Sequence, residues 1–235
     1  MLEIKGLTLT YKNTGKRALN NVSLTVEDGE IYGFLGANGA GKSTAIKCIV
    51  GILQQDSGEI FFDGKNIRSD LRAFKANIGY VPDLSNAYER ISGEHYLNRV
   101  ASVYGLTDAA AREKRIREVS EKFAFEKYLS QPVKTYSHGT KQKLNFIAGI
   151  LHRPRLLILD EPMTGLDPES TLTLIEIIQE YAKEGNSVFF SSHLLNVVEN
   201  VCDTVGILKT GEMKGEYKVK SLPGSIKALY KEFNQ

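Results

Sequence analysis

A glycine-rich stretch in the N-terminal part of the chain reads Gly36-Ala37-Asn38-Gly39-Ala40-Gly41-Lys42-Ser43. Its glycines let successive backbone N–H groups curl around phosphate oxygens, because no Cβ stands in the way. The apolar run before it, residues 31–35, predicts a buried strand, and apolar residues at helical spacing after it predict a helix that reaches Leu53. These neighbours disfavour the alternative, a glycine-rich turn that contains a lysine by chance. The stretch predicts a phosphate-binding loop in which Lys42 reaches the β- and γ-phosphates and Ser43 holds Mg²⁺.

A second apolar run, residues 156–159, ends in the carboxylates Asp160 and Glu161. Ligands of open α/β sheets bind at the carboxyl ends of the strands, so this run places two carboxylates near the phosphates. We expect Asp160 to hold Mg²⁺ through water and Glu161 to polarise the attacking water. Alone, such a run is typical of a buried strand with a solvated end. Together with the upstream loop it predicts a site for nucleotide hydrolysis.

Strand and helix signals alternate over most of the chain. Residues 2–35 have a strand pattern whose phase shifts by one at Gly6, as a β-bulge allows. Residues 92–132 have a helical pattern, and after them strands and helices alternate up to a hairpin that turns at residues 210–211. The pattern predicts an α/β P-loop NTPase: a mostly parallel sheet covered by helices, an N-terminal antiparallel β-subdomain and an inserted α-helical subdomain.

We expect one domain over residues 1–235. Its expected parts are a nucleotide-binding core at 1–86 and 136–220, a helical subdomain at 87–135 and a C-terminal helical tail at 221–235. The tail could be a regulatory contact, but a short solvated helix is the simpler interpretation.

The composition is that of an ordinary globular protein. The 235 residues include 30 Lys+Arg and 28 Asp+Glu, and 42% are hydrophobic. This balance argues against a disordered tail, a collagen-like fibre or a coiled coil, and a net charge of +2 argues against nucleic acid or an anionic membrane as the main partner. The N-terminus lacks a signal-peptide pattern, and no stretch approaches the roughly 20 apolar residues that span a bilayer. Cys48 and Cys202 are expected to be buried thiols in a reducing compartment.

Further motifs resemble those of the ATP-binding subunits of ABC transporters, in the family's order and over nearly the whole chain. Residues 136–142, Tyr-Ser-His-Gly-Thr-Lys-Gln, resemble the family's signature loop at the head of an amphipathic helix. The resemblance implies a head-to-tail dimer in which this loop contacts the ATP bound to the opposite subunit. A hydroxyl, a glycine amide and a helix N-terminus together suit an anion, although a lone Ser-x-Gly is ordinarily a capped loop. The implied contacts are Ser137, His138, Gly139 and Thr140.

The same resemblance assigns roles to residues outside these motifs. Asp167 lies in a segment similar to the loop that crosses the dimer interface, and with Pro168 it also reads as a helix N-cap. His193 matches the switch histidine that contacts the γ-phosphate. Tyr11 matches the aromatic residue that stacks on adenine, although it would otherwise be an ordinary strand residue. The predicted catalytic residues are Glu161, His193 and Lys42; the predicted metal ligands are Ser43, Asp160 and Asp83; Thr44, Asp83 and Tyr11 complete the ATP-binding set with residues 36–43.

Several positions depart from the usual family pattern. Asp83 stands where the family has a Gln that ligates Mg²⁺ and senses the nucleotide. A carboxylate can still bind Mg²⁺, but its charge near the γ-phosphate argues against the usual role. His138 and Thr140 stand where the commonest signature has Gly and Gln. These features, and residues 92–97 that open the helical insert, resemble the subgroup whose membrane partners are ABC-2 type exporters.

The resemblance implies an ATPase that binds two ATP·Mg²⁺ between two subunits and drives transport, in this subgroup export. The second subunit would be a further copy or a paralogue, and the membrane partner an ABC-2 type permease. The chain would be cytoplasmic, held at the inner face of the cell membrane by that permease. We expect the permease to dock on the helical insert near Asp83, with Tyr88 and Arg90 as candidate contacts unless they are simply solvated. Nucleic acid is not an expected partner.

Two alternatives stay open. One is a soluble member of the superfamily that acts on ribosomes or DNA. Members that resemble translation factors usually carry two ATPase domains, and those that resemble DNA-repair proteins insert long coiled coils; this sequence has neither pattern. The other is a regulatory or immunity subunit that binds ATP tightly and turns over slowly, which Asp83 favours and the pair Glu161 and His193 disfavours.

Overall fold

The computed structural model describes residues 1–83, 90–222 and 224–234, which form strands and helices in alternation. The strands are β1 (Leu2–Tyr11), β2 (Lys16–Val26), β3 (Ile31–Leu35), β4 (Ser57–Phe62), β5 (Lys65–Asn66), β6 (Ile78–Val81), β7 (Leu156–Asp160), β8 (Ser187–Ser192), β9 (Thr204–Lys209) and β10 (Glu212–Lys218). The helices are α1 (Lys42–Ile49), α2 (Leu71–Ala76), α3 (Gly93–Val103), α4 (Ala109–Glu121), α5 (Glu126–Leu129), α6 (His138–Ile150), α7 (Pro168–Lys183), α8 (Leu195–Val201) and α9 (Ile226–Asn234).

The N-terminal strands form an antiparallel sheet in the order β2-β1-β4-β5. The register between β1 and β2 shifts between Ile4 and Leu7, and Gly6 has φ 62°. The bulge predicted at Gly6 is therefore confirmed. It keeps Ile4 and Leu7 both buried although they are three residues apart. Their face packs against α1 within one apolar cluster.

The second sheet has the order β10-β9-β3-β8-β7-β6. Strands β3, β6, β7, β8 and β9 pair in parallel, and β10 pairs antiparallel with β9 as the predicted hairpin. All residues of β3, β7 and β8 are buried, as expected of a parallel sheet covered on both faces. Strand β8 lies between β3 and β7, so the segments that follow these three strands meet at one edge. The predicted α/β fold class is confirmed.

Helices α3, α4 and α5 lie between β6 and β7 in the chain, where the sequence predicts a helical insert. Ser92 and Asp108 cap α3 and α4 by accepting backbone N–H bonds. Arg115 of α4 donates to the carbonyl oxygens of Ile150 and Leu151, at the end of α6. This contact ties the inserted helices to the helix that carries the signature loop. Tyr88 lies outside the described residues.

Two sequence-based expectations about helices are wrong. Helix α1 ends at Ile49 rather than near Leu53, because Gly51 has φ 72°, a left-handed conformation that stops a helix. The C-terminal helix α9 is not simply solvated. Its Ile226 is fully buried, and the carbonyl oxygen of Phe233 accepts a bond of 2.6 Å from Lys209 Nζ.

Both cysteines are buried free thiols, as predicted, and burial raises the pKa of Cys48 to about 11. Within the three described ranges, no helix combines the length and the apolar character needed to cross a bilayer.

Candidate active site

The loop of residues 36–41 joins the end of β3 to the start of α1. A Cβ added at Gly36 would lie 2.6 Å from the carbonyl oxygen of Leu208, and one added at Gly41 would lie 2.6 Å from that of Ala18. Gly41 also has φ 114°, which L side chains rarely adopt. The loop thus needs glycine where its backbone packs on β9 and β2. Its middle, residues 37–39, is exposed, which leaves the backbone N–H groups accessible to a phosphate.

Lys42 lies at the centre of the site and is only 5% exposed. Its Nζ donates to the carbonyl oxygens of Gly36, at 2.7 Å, and Ala37, at 3.3 Å. The same ammonium lies 3.1 Å from Glu161 Oε1. Lys42 therefore joins the glycine-rich loop to the carboxylate that the sequence predicts as the general base.

Glu161 follows the last residue of β7 and is held from a second side by His193. Its Oε2 lies 2.8 Å from His193 Nδ1, and the carboxylate is 13% exposed against 46% for the imidazole. The backbone of Glu161 has φ 48°. The carboxylate lies between an ammonium and an imidazole, as the assignment of Glu161 and His193 to one site requires.

Asp160, the last residue of β7, accepts hydrogen bonds from two hydroxyl groups. Ser43 Oγ donates to Asp160 Oδ1 at 3.0 Å, and Ser191 Oγ donates to the same oxygen at 2.7 Å. Ser191 Oγ also accepts a bond of 3.0 Å from the backbone N–H of Glu161. The structure thus brings the predicted metal ligands Ser43 and Asp160 together. The sequence reasoning missed Ser191; the available signal was a polar residue at the end of a strand two positions before His193.

Asp83 lies near the same carboxylates, just after β6. Burial raises the pKa of Asp83, and the negative charges of Asp160 and Glu161 raise it further. The histidines His138 and His193 act in the opposite direction. The acidic residue at the family's Gln position therefore adds negative charge to the site.

Tyr11, the last residue of β1, lies at the edge of the site. Its side chain is 37% exposed, and its hydroxyl lies 3.0 Å from Thr44 Oγ1, in the first turn of α1. A partly exposed aromatic ring beside the phosphate loop is compatible with the predicted stacking on a base.

The signature residues lie at the N-terminus of α6. Ser137 caps this helix by accepting from the N–H of Thr140, and its Oγ lies 2.8 Å from Thr140 Oγ1. A Cβ at Gly139 would lie 2.6 Å from the carbonyl oxygen of Gly165, so the signature packs on the segment that contains Asp167. The hydroxyl bonds of Ser137 stay within this helix turn rather than reaching the phosphate loop of the same chain.

Asp167 caps α7, as the sequence predicts. Its Oδ1 accepts from the backbone N–H of Ser170 at 2.8 Å, its Oδ2 accepts from the hydroxyl of Ser170, and Pro168 is the first helical residue. These bonds lower the pKa of Asp167. Arg90, the described one of the two predicted docking residues, is exposed in a turn before α3.

Comparisons with known proteins identify the family of the chain. The family described as ABC transporter matches residues 19–164, more than half of the chain. The lantibiotic transport ATP-binding protein SrtF of Streptococcus pyogenes is 36% identical over 215 residues, which cover 91% of this chain and 89% of SrtF. The bacitracin transport ATP-binding protein BcrA of Bacillus licheniformis is 34% identical over 214 residues, which cover 91% of this chain and 69% of BcrA.

Solved structures give the same result. One described as the ATP-binding subunit of an ABC transporter superposes with a TM-score of 0.92 at 31% identity and covers 100% of both chains. The dimeric structure of MJ0796, a bacterial ABC transporter cassette, superposes with a TM-score of 0.87, covers 94% of this chain and 100% of that chain, and at 23% identity supports the fold. With the phosphate loop and both carboxylates in one site, the chain belongs to the ABC transporter family, as an ATP-binding subunit that hydrolyses ATP to drive transport through a separate membrane protein.

Proposed function

We propose that the chain is the ATPase subunit of an exporter whose permease is of the ABC-2 type. SrtF and BcrA, which are named for the transport of a lantibiotic and of bacitracin, support an export role for this chain. The Tyr-Ser-x-Gly signature and the acidic residue Asp83 support the same subgroup. Such a subunit would work at the cytoplasmic face of the membrane, where its permease holds it.

We propose that the site residues have the roles predicted from the sequence. The observation that carries this proposal is the position of Glu161 between Lys42 and His193, at 3.1 Å and 2.8 Å. A carboxylate oriented in this way beside the phosphate loop suits a general base that accepts a proton from the attacking water. Beyond these contacts with Glu161, Lys42 would reach the β- and γ-phosphates and His193 would contact the γ-phosphate, as the sequence predicts.

The residues present fit a magnesium ion. Mg²⁺ prefers oxygen ligands and is usually bound by one or two protein groups together with substrate phosphates. The Ser43 hydroxyl and the Asp160 carboxylate, 3.0 Å apart, supply two such oxygens. They would hold the ion, with Asp83 as a third oxygen donor nearby, and the bound ion would neutralise charge on the β- and γ-phosphates.

The position of the signature supports a dimer. Ser137 and Gly139 begin α6 and lie beside the Asp167 segment, while the phosphate loop begins α1. One chain therefore presents a phosphate-binding surface and a separate helix N-terminus suited to an anion. A second copy or a paralogue, related by a two-fold axis, would complete both sites.

The partner assignment is tested by capture of the tagged chain from a detergent extract of its own cells, with ATP and Mg²⁺ present. We expect recovery of an integral membrane protein with several transmembrane helices. A matched capture with Arg90→Ala tests the docking surface, because Arg90 is exposed in front of the helical insert. The transporter assignment would be contradicted if ribosomes were recovered. It would also be contradicted if neither the wild-type chain nor the Arg90→Ala variant captured a membrane protein.

A further inference from the structure

The hydroxyl of Ser191 occupies a buried position between the two carboxylate residues of the site. Strand β8 pairs with β7 so that Ser191 lies directly opposite Asp160. The side chain of Ser191 is 0% exposed, so its hydroxyl must find partners within the protein.

Both hydrogen-bonding functions of this hydroxyl are used on residues of the site. Its proton is donated to Asp160 Oδ1 at 2.7 Å, and its oxygen accepts the backbone N–H of Glu161 at 3.0 Å. A serine hydroxyl has one proton to donate, so the bond to Asp160 fixes its orientation. One atom of Ser191 thus links the proposed metal ligand to the backbone of the proposed base.

The geometry of Glu161 makes this link useful. Its φ of 48° lies in the left-handed region, which residues with a Cβ rarely adopt. A hydrogen bond to its N–H helps to hold that turn. Asp160 Oδ1 accepts hydrogen bonds from the hydroxyl groups of both Ser43 and Ser191, and these two bonds define the orientation of the carboxylate.

We propose that Ser191 is a positioning residue of the ATPase: it orients Asp160 toward the metal and holds the turn that aims Glu161 at the attacking water. This proposal rests on the proposed roles of Asp160 and Glu161. Ser191 acts through these two residues and does not contact the nucleotide. Partners that orient metal ligands typically change metal affinity or activity 10- to 100-fold when they are lost.

The test compares Ser191→Ala and Ser191→Cys with the control Ser187→Ala. Ser187 is a buried serine at the opposite end of the same strand, where its hydroxyl donates to the carbonyl oxygen of Glu27 at 2.9 Å. Mn²⁺ affinity of the ATP-bound protein is measured by electron paramagnetic resonance. ATP affinity without divalent metal, kcat and the thermal midpoint are measured in parallel.

We expect Ser191→Ala to lower both the affinity for Mn²⁺ and kcat by about tenfold or more. Its affinity for ATP in the absence of divalent metal should stay within about twofold of the wild-type value. Ser191→Cys replaces the hydroxyl by a slightly larger thiol that forms weaker hydrogen bonds, so it should show the same metal defect. A folded Ser191→Ala protein with wild-type Mn²⁺ affinity and kcat would overturn the proposal, as would a Ser191→Cys protein that behaves as wild type.

Asp160→Asn separates this proposal from the one on which it rests. If Asp160→Asn loses Mn²⁺ binding while Ser191→Ala keeps wild-type Mn²⁺ affinity and kcat, only the role of Ser191 is rejected. Wild-type metal binding in Asp160→Asn would reject the proposed metal site itself.

Discussion

At the scale of single residues, Glu161 has an unfavourable backbone conformation that contacts to its N–H and its carboxylate hold in place. A left-handed conformation at a residue with a Cβ costs about 1–3 kcal/mol and persists where the surroundings enforce it. Here the surroundings are Ser191 on the N–H, Lys42 on one carboxylate oxygen and His193 on the other. Because the start of α1 and the end of β8 supply these groups to a residue that follows β7, the position of the carboxylate depends on several elements rather than on one loop.

Asp83 gives a prediction at the same scale. Its neighbours Asp160 and Glu161 raise its pKa after the larger effect of burial, so the three carboxylates repel one another. We expect Asp83→Gln to lower the ATP concentration for half-maximal hydrolysis by about two- to fivefold, because it removes a like charge beside the phosphates. We expect it to raise the Mg²⁺ concentration for half-maximal hydrolysis, because it removes a carboxylate oxygen donor. Steady-state ATPase assays measure both, with the exposed Asp28→Asn as control. Unchanged ATPase activity and Mg²⁺ dependence would show that Asp83 is not at the metal.

At the scale of elements, a buried carboxylate joins three strands at the end of the sheet opposite the site. Glu30, just before β3, accepts bonds from the hydroxyl of Thr204 in β9 and from Lys218 Nζ in β10, the latter at 2.7 Å. Its second oxygen accepts the N–H of Glu27 at 2.7 Å. Burial alone would raise the pKa of Glu30, but these bonds outweigh it and the pKa lies below its usual 4.5.

This network predicts a pH-dependent stability. Because the pKa of Glu30 is lower in the folded chain, its contribution is present above pH 4.5 and is lost as the pH falls through the folded pKa. We expect Glu30→Gln to lower the free energy of unfolding by about 1–3 kcal/mol at pH 7, and the difference from wild type to shrink below pH 4.5. Urea unfolding from pH 3.5 to 7 measures it, with the exposed Glu176→Gln as control. A difference that does not vary with pH would exclude this role.

The sequence predicted local features and the residues that its motifs bring to one site, but it did not predict other contacts between distant segments. The bulge at Gly6 and the helix cap at Asp167 depend only on residues nearby in the sequence, so sequence patterns predict both. The packing of α9 was missed because an apolar stripe on a short helix does not show which surface it covers. Ser191 was missed because its role depends on the register of β8 against β7, which joins residues far apart in the sequence.

At the scale of the whole molecule, the parallel sheet places the phosphate loop, both carboxylates and His193 at one edge. Strands β3, β8 and β7 lie side by side in the sheet. The phosphate loop follows β3, the two carboxylates lie at the end of β7, and His193 follows β8. The signature at the head of α6 packs on the segment that contains Asp167, and Ser137 caps its own helix. In the proposed dimer, the phosphate loop of one chain and the signature of the other would hold the same ATP, so ATP would link the two copies.

The most direct test of this mechanism is the behaviour of Glu161→Gln with ATP and Mg²⁺, measured by ATP hydrolysis and by light scattering after size-exclusion chromatography. We expect hydrolysis to fall about 10²- to 10⁴-fold, as for the loss of a general base. We also expect the variant to accumulate as an ATP-bound dimer, while Glu176→Gln behaves as wild type. A Glu161→Gln protein that hydrolyses ATP at the wild-type rate would contradict the assignment of the base and of the site built around it.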